Sequence, residues 1–353
     1  MRSEKDVIVP SCLGIPMKWI SLLMLVIQTV SVVFAMRLSR TVDQDGPRYL
    51  NTTAVFFSEV VKFVCSFFFL CHDKGSVSLA FQVVRSTLFQ SFEEVLKISV
   101  PSILYTLQNN LLFVSLSNLS GAVYQVTYQL KILTTAVLSV VILGKALGSL
   151  KWFSLLLLTS GVACIQFPRD KAEDAPSHGE PHGNTVVGLI AVLSACMTSG
   201  LAGVYLEKIL KQSSTSIWLR NMQLALFGVV ISLGGCLLQD GSTISTAGFM
   251  QGYSPLVWSV IWLQALGGLV VAAVLKYADN ILKCFGNALS IVMSCILSSV
   301  FLKEFEPDML FLFGTILVLL ATTLYNLGAP QWAQQWRKHL LKVPSNARQL
   351  VMP

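Results

Sequence analysis

The chain is short of charge. Asp, Glu, Lys and Arg supply 12% of its 353 residues, against 54% hydrophobic residues, whereas average soluble domains carry about 25% charged residues. That deficit excludes an ordinary water-soluble globule. Catalytic signatures are missing as well: there is no HExxH, no histidine box and no Walker loop. His178 and His182 have metal-compatible spacing but sit in a Pro/Gly-rich stretch without a third ligand, so no metal and no cofactor is expected. All eight cysteines lack paired spacing, and six (Cys65, Cys71, Cys164, Cys196, Cys284, Cys295) fall in or beside apolar runs. They read as small hydrophobes, not as a disulfide frame. The net charge of +7 comes without a basic patch, because the bases are scattered through short connections. Nucleic acid is therefore not an expected partner.

What the chain has in quantity is apolar length. Ten runs approach the ~20 residues that span hydrocarbon: 17–38, 50–71, 96–116, 119–143, 149–167, 186–209, 216–238, 254–276, 279–302 and 308–328. No signal peptide is apparent, and the first run, Met17 to Met36, is itself long enough to be a span. A weaker stretch, Ser78 to Phe92, reads as a connection lying at the membrane interface. The N-terminus, the connections after helices 2, 4, 6 and 8, and the tail hold 16 Lys/Arg, against six in the alternate connections. The positive-inside rule then puts both termini in the cytosol and favours an even number of spans.

The most polar internal segment, Pro168 to Asn184, divides the runs five and five. A five-plus-five chain sets its second half upside down relative to the first, the geometry of an inverted-repeat transporter. The expectation is an all-α integral membrane protein of ten transmembrane helices in two inverted five-helix repeats. Its parts are a cytosolic segment (1–16), a first repeat (17–167), a luminal linker (168–185), a second repeat (186–328) and a cytosolic tail (329–353). The halves do not align cleanly, since Lys131 precedes Lys145 by 14 residues while Lys283 precedes Lys303 by 20. The repeat is inferred from topology alone. The tail is basic and carries Trp332 and Trp336, which suits contact with the membrane surface.

Lys131 and Lys283 lie inside apolar runs. An ammonium at the bilayer centre costs roughly 3 kcal/mol, so a chain keeps one where it faces a wet cavity, a partner or an anionic cargo. Tyr124, Tyr128 and Lys131, spaced i, i+4, i+7, share one helical face with Gln125 and Gln129 alongside. The run 279–302 repeats the trait with Asp279, Lys283, Asn287, Ser290, Ser294 and Ser298. Tyr105, Gln108, Asn109 and Asn110 mark helix 3, and Arg220, Asn221 and Gln223 open helix 7. Aromatic surfaces suit a nucleobase, amides suit its hydrogen-bonding edge, and lysines suit phosphates.

Each feature also has a structural reading. Lys131 could form an ion pair with Glu59 or Glu207, Lys283 with Asp279 one turn earlier, and Glu59 with Lys62. Amides and serines commonly join membrane helices, and Ser199, Gly200, Ala202 and Gly203 form a close-packing surface. Lys208 and Lys211 are explained by snorkelling at the cytosolic end of helix 6. Asn51 and Asn118 match the glycosylation pattern but hug a membrane boundary.

At these same residues the chain resembles the eukaryotic nucleotide-sugar transporters, within the drug/metabolite transporter superfamily. The resemblance runs from about Met17 to Leu327 and rests on YTLQNN (105–110), AVYQVTYQLKILTTAVLSV (122–140), SGLAGVYLEKILK (199–211), WLRNMQL (218–224), QALGGLV (264–270) and KYADNILK (276–283). These stretches look most like the branch carrying UDP-N-acetylglucosamine, UDP-galactose and CMP-sialic acid, and GPRYL (46–50) leans toward UDP-N-acetylglucosamine. The resemblance implies a Golgi membrane antiporter, not an enzyme, that exchanges cytosolic nucleotide sugar for luminal nucleoside monophosphate, here UMP. It also implies that Lys131 and Lys283 contact phosphate, that Tyr124 joins them, and that Tyr105, Asn109 and Asn221 hold the nucleoside, with Ser199 nearby. After KYADNILK the family pattern usually continues GFATSLSI, and here it reads CFGNALSI, which sets Cys284 in place of glycine beside Lys283. Membrane lipids surround such a protein, and the resemblance leaves open assembly with a second copy or with other Golgi transporters and glycosyltransferases. The rival readings are a proton-coupled organic solute carrier, a membrane-embedded glycosyltransferase, and a receptor or scaffold.

Overall fold

The computed structural model describes residues 11–12, 15–41, 49–90, 92–167, 184–212, 215–302 and 307–327. The linker with His178 and His182, the tail with Trp332 and Trp336, Lys303 and most of the N-terminal segment lie outside the described residues. Apart from a two-residue bridge between Ser11–Cys12 (β1) and Ile15–Pro16 (β2), the described chain is helical. In order come α1 (Met17–Thr41), α2 (Asn51–Lys74), α3 (Val77–Gln90), α4 (Phe92–Asn118), α5 (Gly121–Tyr128), α6 (Lys131–Leu143) and α7 (Ser149–Gln166). Then follow α8 (Thr185–Gln212), α9 (Ile217–Ala247), α10 (Pro255–Tyr277), α11 (Asn280–Leu297), which runs on into a π turn at Ser298–Leu302, and α12 (Met309–Asn326).

Nine helical segments among the described residues are long and apolar enough to cross a membrane, with α5 and α6 counting together as one. The run expected at 96–116 lies within α4, whose 27 residues give about 40 Å at 1.5 Å per residue. Gln108, Asn109 and Asn110 dilute its apolar character at mid-length. The interfacial stretch is a helix in its own right. Gly75 ends α2 in the left-handed conformation (φ 67°), and α3 folds back to pack Ala80 against Leu70, Leu219 and Met222.

Two runs differ from their expected form. Residues 119–143 are not one continuous helix, because the ladder tightens at Gln129–Leu130. Gln129 N donates to Val126 O (3.2 Å) and Leu130 N to Thr127 O (3.0 Å), both i→i−3 bonds. No Gly or Pro marks the place; α8 causes it. The Cys196 thiol donates to the Tyr128 and Thr127 carbonyls (3.5 and 3.8 Å), and the Thr134 hydroxyl donates to Cys196 O (3.0 Å), so a neighbouring helix satisfies the displaced backbone. The other case is α9, which runs on to Ala247 where the hydropathy pattern stops at 238. Nothing breaks it until Gly248, at φ 89°.

α1 packs on α10 and α11, α2 on α9 and α10, α4 on α8 and α9, α6 on α8, and α7 on α12. Small residues set these distances, as they do in lipid, where helices gain little from hydrophobic contact. A Cβ on Gly161 would lie 2.9 Å from Gly314 O, and one on Gly314 would lie 2.7 Å from Gly161 O, so α7 and α12 meet backbone to backbone. The bundle's two ends are identified by contacts between helix termini. Thr52 donates to Asp240 (2.5 Å) and Tyr253 to Thr53 (3.0 Å), joining the start of α2, the end of α9 and the start of α10. At the opposite end, Lys145 after α6 meets the end of α8 and the elbow between α10 and α11.

Candidate functional site: two chambers between the helices

The larger chamber, about 720 Å³, lies between α2, α4, α9 and α10. Its wall reaches Asn51, Leu116 and Gln239, all exposed at one end of the bundle. Toward the other end it narrows to buried Leu206 and Ala272. Tyr105, Asn109, Tyr124 and Asn221 line it. Asn221 is 2% exposed, and its Nδ2 has no hydrogen-bond partner among the described residues. Glu59 and Lys62 face the same space as an ion pair (2.5 Å), seated where Gly228 of α9 meets the Glu59 carboxylate and Gly268 of α10 meets the Lys62 stem.

The smaller chamber, about 270 Å³, lies between α5–α6, α7 and α11. Lys131 lines it with Gln125, Gln129, Gln166, Cys284 and Asn287, together with the apolar Ile132, Val162, Ala288 and Ile291. Tyr124 lines both chambers. Its ring stacks on Tyr128 (centroids 5.7 Å apart, planes at 9°), and Lys131 Nζ lies 4.0 Å from the Tyr128 ring centroid. The face expected from spacing therefore survives the break between α5 and α6. The Tyr128 hydroxyl accepts from Gln108 (2.9 Å) and faces the Ser199 side chain.

Of the residues singled out from sequence, Tyr105, Asn109, Tyr124 and Asn221 thus meet in one chamber and Lys131 in its neighbour. Ser199 touches the shared wall through Tyr128. Lys283 stands beside Cys284 but is not on the smaller chamber's lining, though its ammonium is near enough to that of Lys131 for the two to repel. Among the described residues neither lysine has an acid within ion-pair distance. Glu59 is occupied by Lys62, and Glu207 by Lys145 (2.7 Å) and Lys211 (2.8 Å). Asp279 lies 3.6 Å from Lys145 Nζ and caps α11 by accepting from Leu282 N. Two positive charges are thus held between helices without native countercharge, which costs free energy until an anion arrives.

Lys211 corrects the snorkelling reading: besides Glu207 it donates to Ala278 O (2.6 Å). Its i,i+4 spacing to Glu207 was a visible signal for a pair, whereas Lys145 and Asp279 carried none. The amide of Gln166 was equally silent as a chamber wall, because α7 and α11 meet only in the folded bundle, whereas Asn287 was visible in the polar strip of its run.

A helical, multi-pass membrane protein whose spans line chambers bearing lysines, amides and tyrosines has the features of a carrier of polar solutes. The comparisons with known proteins give its kind. The family model described as "Nucleotide-sugar transporter" matches residues 14–326. The UDP-N-acetylglucosamine transporter of Mus musculus is 51% identical over 88% of this chain and 95% of its own length. The UDP-galactose translocator of Homo sapiens is 46% identical over 88% of this chain and 77% of its own. A solved crystal structure is matched with TM-score 0.62 at 13% identity, covering 88% of this chain and 96% of that one, which shows a shared fold. This chain belongs to the nucleotide-sugar transporter family, and it is a transporter, not an enzyme.

Proposed function

We propose that this protein carries UDP-N-acetylglucosamine, with UDP-galactose as a second cargo, into the Golgi lumen in exchange for UMP. The single observation that carries this reading is Lys131, an ammonium held over Tyr128 without an acidic partner among the described residues. A phosphate seated there supplies the missing countercharge, while Tyr105, Asn109 and Asn221 in the adjoining chamber offer a ring and amides to uridine. Lys283 contributes a second charge from α11, and Ser199 supports the wall. The empty carrier resists crossing its occluded state, because its lysines then lose water without gaining a partner. Loading lowers that barrier, and obligate exchange follows from the difference. The names of the similar transporters support the choice of UDP-sugars.

The architecture we assign is ten spans in two inverted repeats, 17–167 and 186–328, joined by a luminal linker and flanked by cytosolic termini. The distribution of Lys and Arg favours that orientation. The packing supports the repeat: moving each span five places along converts α4 on α8 into α10 on α1, α6 on α8 into α11 on α1, and α2 on α10 into α9 on α4. It leaves α2 on α9 and α7 on α12 unchanged.

The test is counterflow: purified protein in UMP-loaded liposomes takes up labelled UDP-N-acetylglucosamine. A hydrogen bond to a charged group contributes about 1.5–3 kcal/mol, so Lys131→Ala and Lys283→Ala each slow exchange roughly 10- to 150-fold. Wild-type rates in both variants overturn the reading. A rate that follows an imposed pH gradient, without UMP inside, would instead favour proton coupling.

A further inference from the structure

The two chambers differ in chemistry. The larger is built on tyrosine, asparagine and an ion pair and opens at the Asn51 end. The smaller has one lysine, a cluster of amides and an apolar wall. Its amides are not equivalent. Gln129, 4% exposed, donates to Gln166 Oε1 and to Gln125 O, so those two glutamines hold each other. The side-chain amides of Gln125 and Asn287 have no protein partner among the described residues, and both line the chamber from opposite elements, α5 and α11. A half-buried amide with unused donor and acceptor capacity is matched by a ligand that offers both.

A nucleotide sugar has three parts in line: base, phosphates and sugar. Tyr124 is common to the two chambers, and Lys131, stacked over Tyr128 next to that shared wall, lines the smaller one. Phosphates drawn to Lys131 leave the sugar on the far side. A space of about 270 Å³ equals roughly nine waters at about 30 Å³ each, room for one monosaccharide and not for the whole nucleotide sugar. The lining also includes the apolar Ile132, Val162, Ala288 and Ile291, which offer a methyl group more contact than a hydroxyl does.

We propose that the smaller chamber is the subsite for an N-acetylhexosamine: Gln125 and Asn287 hydrogen-bond its acetamide and hydroxyls, and the apolar wall receives the acetyl methyl. This rests on the nucleotide-sugar reading above and adds what sets the preference among UDP-sugars. Gln125 and Asn287 are then specificity residues, acting on the part of the cargo that UMP lacks.

The experiment measures binding by ligand-induced thermal shift in detergent for UDP-N-acetylglucosamine, UDP-galactose and UMP, in the wild type, Gln125→Ala, Asn287→Ala and the double variant. Each neutral hydrogen bond contributes about 1 kcal/mol, so each single variant weakens UDP-N-acetylglucosamine about fivefold and the double variant about 30-fold. The preference over UDP-galactose shrinks, and the ratio of UDP-N-acetylglucosamine to UMP affinity falls in step. A retained UMP shift reports that the variants are folded. Equal losses for UMP and the UDP-sugar, or no loss for either, overturn the subsite. A wild type that binds all three ligands but fails to exchange them refutes the antiport reading and leaves this test standing. A wild type that binds none of them overturns both.

Discussion

At the scale of single residues, position along the helix was enough to find the charge but not its surroundings. Lys131, Tyr124 and Tyr128 fall on one face by spacing, and the folded chain adds that the ammonium sits on the Tyr128 ring. The expected acidic partners were plausible by proximity in composition, yet each is engaged by another lysine. That choice depends on helix rotation and tertiary distance, which one-dimensional spacing does not carry. Tyr128 itself is a testable point, because its ring and its hydroxyl do different things. Cation–π contact is worth about 0.5–2 kcal/mol, so Tyr128→Leu, which removes the platform under Lys131, raises the KM for UMP-driven exchange roughly tenfold. Tyr128→Phe keeps the ring and leaves the buried Gln108 amide without its acceptor. That variant transports near the wild-type rate but loses about 1–3 kcal/mol of stability. Exchange kinetics together with thermal unfolding separate the two, and equal KM values for both variants would remove the ring's role.

At the scale of elements, hydropathy located the spans well because lipid forces each crossing to satisfy its backbone within a helix. What it could not supply were the features imposed by neighbours: the tightened turn at Gln129–Leu130, held by Cys196 and Thr134, and the overrun of α9 into polar sequence. The closeness of α7 and α12 was likewise hidden, since Gly161 and Gly314 look like any other glycines in an apolar run. Their contact is a matter of backbone against backbone, so neither side can yield. Overpacking a tight core costs about 1–3 kcal/mol, and Gly161→Ala, with its Cβ 2.9 Å from Gly314 O and 3.0 Å from side-chain atoms of Leu317 and Val318, is expected to lower thermal stability by that amount. Gly235→Ala on α9 is the control: nothing lies within 4 Å of its Cβ. Fluorescence-monitored melting should leave Gly235→Ala unchanged, and a Gly161→Ala variant equally unaffected would mean the helices can separate cheaply.

At the scale of the whole molecule, the chamber mouth and the ionic cluster around buried Glu207 lie at opposite ends. Exposed Asn51 and Gln239 rim one end. At the other, Glu207, fully buried, takes Lys145 and Lys211 and accepts from Asn280 N (2.9 Å), with Asp279 beyond. Lys145 comes from the first half of the chain and the other members from the second, so this neutral cluster of two bases and two acids closes the halves against each other. A carrier that opens at each end in turn has to break it. Removing one partner of a fully buried pair costs about 3–5 kcal/mol in the state that makes it; Lys145 and Lys211 are 23% and 36% exposed, so the cost here is smaller, against about 5.5 kcal/mol to invert a 99:1 population. Glu207→Gln is therefore expected to shift the protein toward the form open at the Lys145 end, slowing exchange while UMP still binds. Ala272, 2% exposed near that end of the chamber, provides the reporter. In sealed vesicles, a cysteine placed by Ala272→Cys in a background without native cysteines should react with an impermeant maleimide from the Lys145 side faster once Glu207→Gln is added. UMP-loaded and empty vesicles should then differ less than they do for the parent protein, because the closed end no longer depends on cargo to open. Unchanged labelling together with unchanged exchange would show that the cluster is only a strut, and that the barrier between the two facing states is set elsewhere in the bundle.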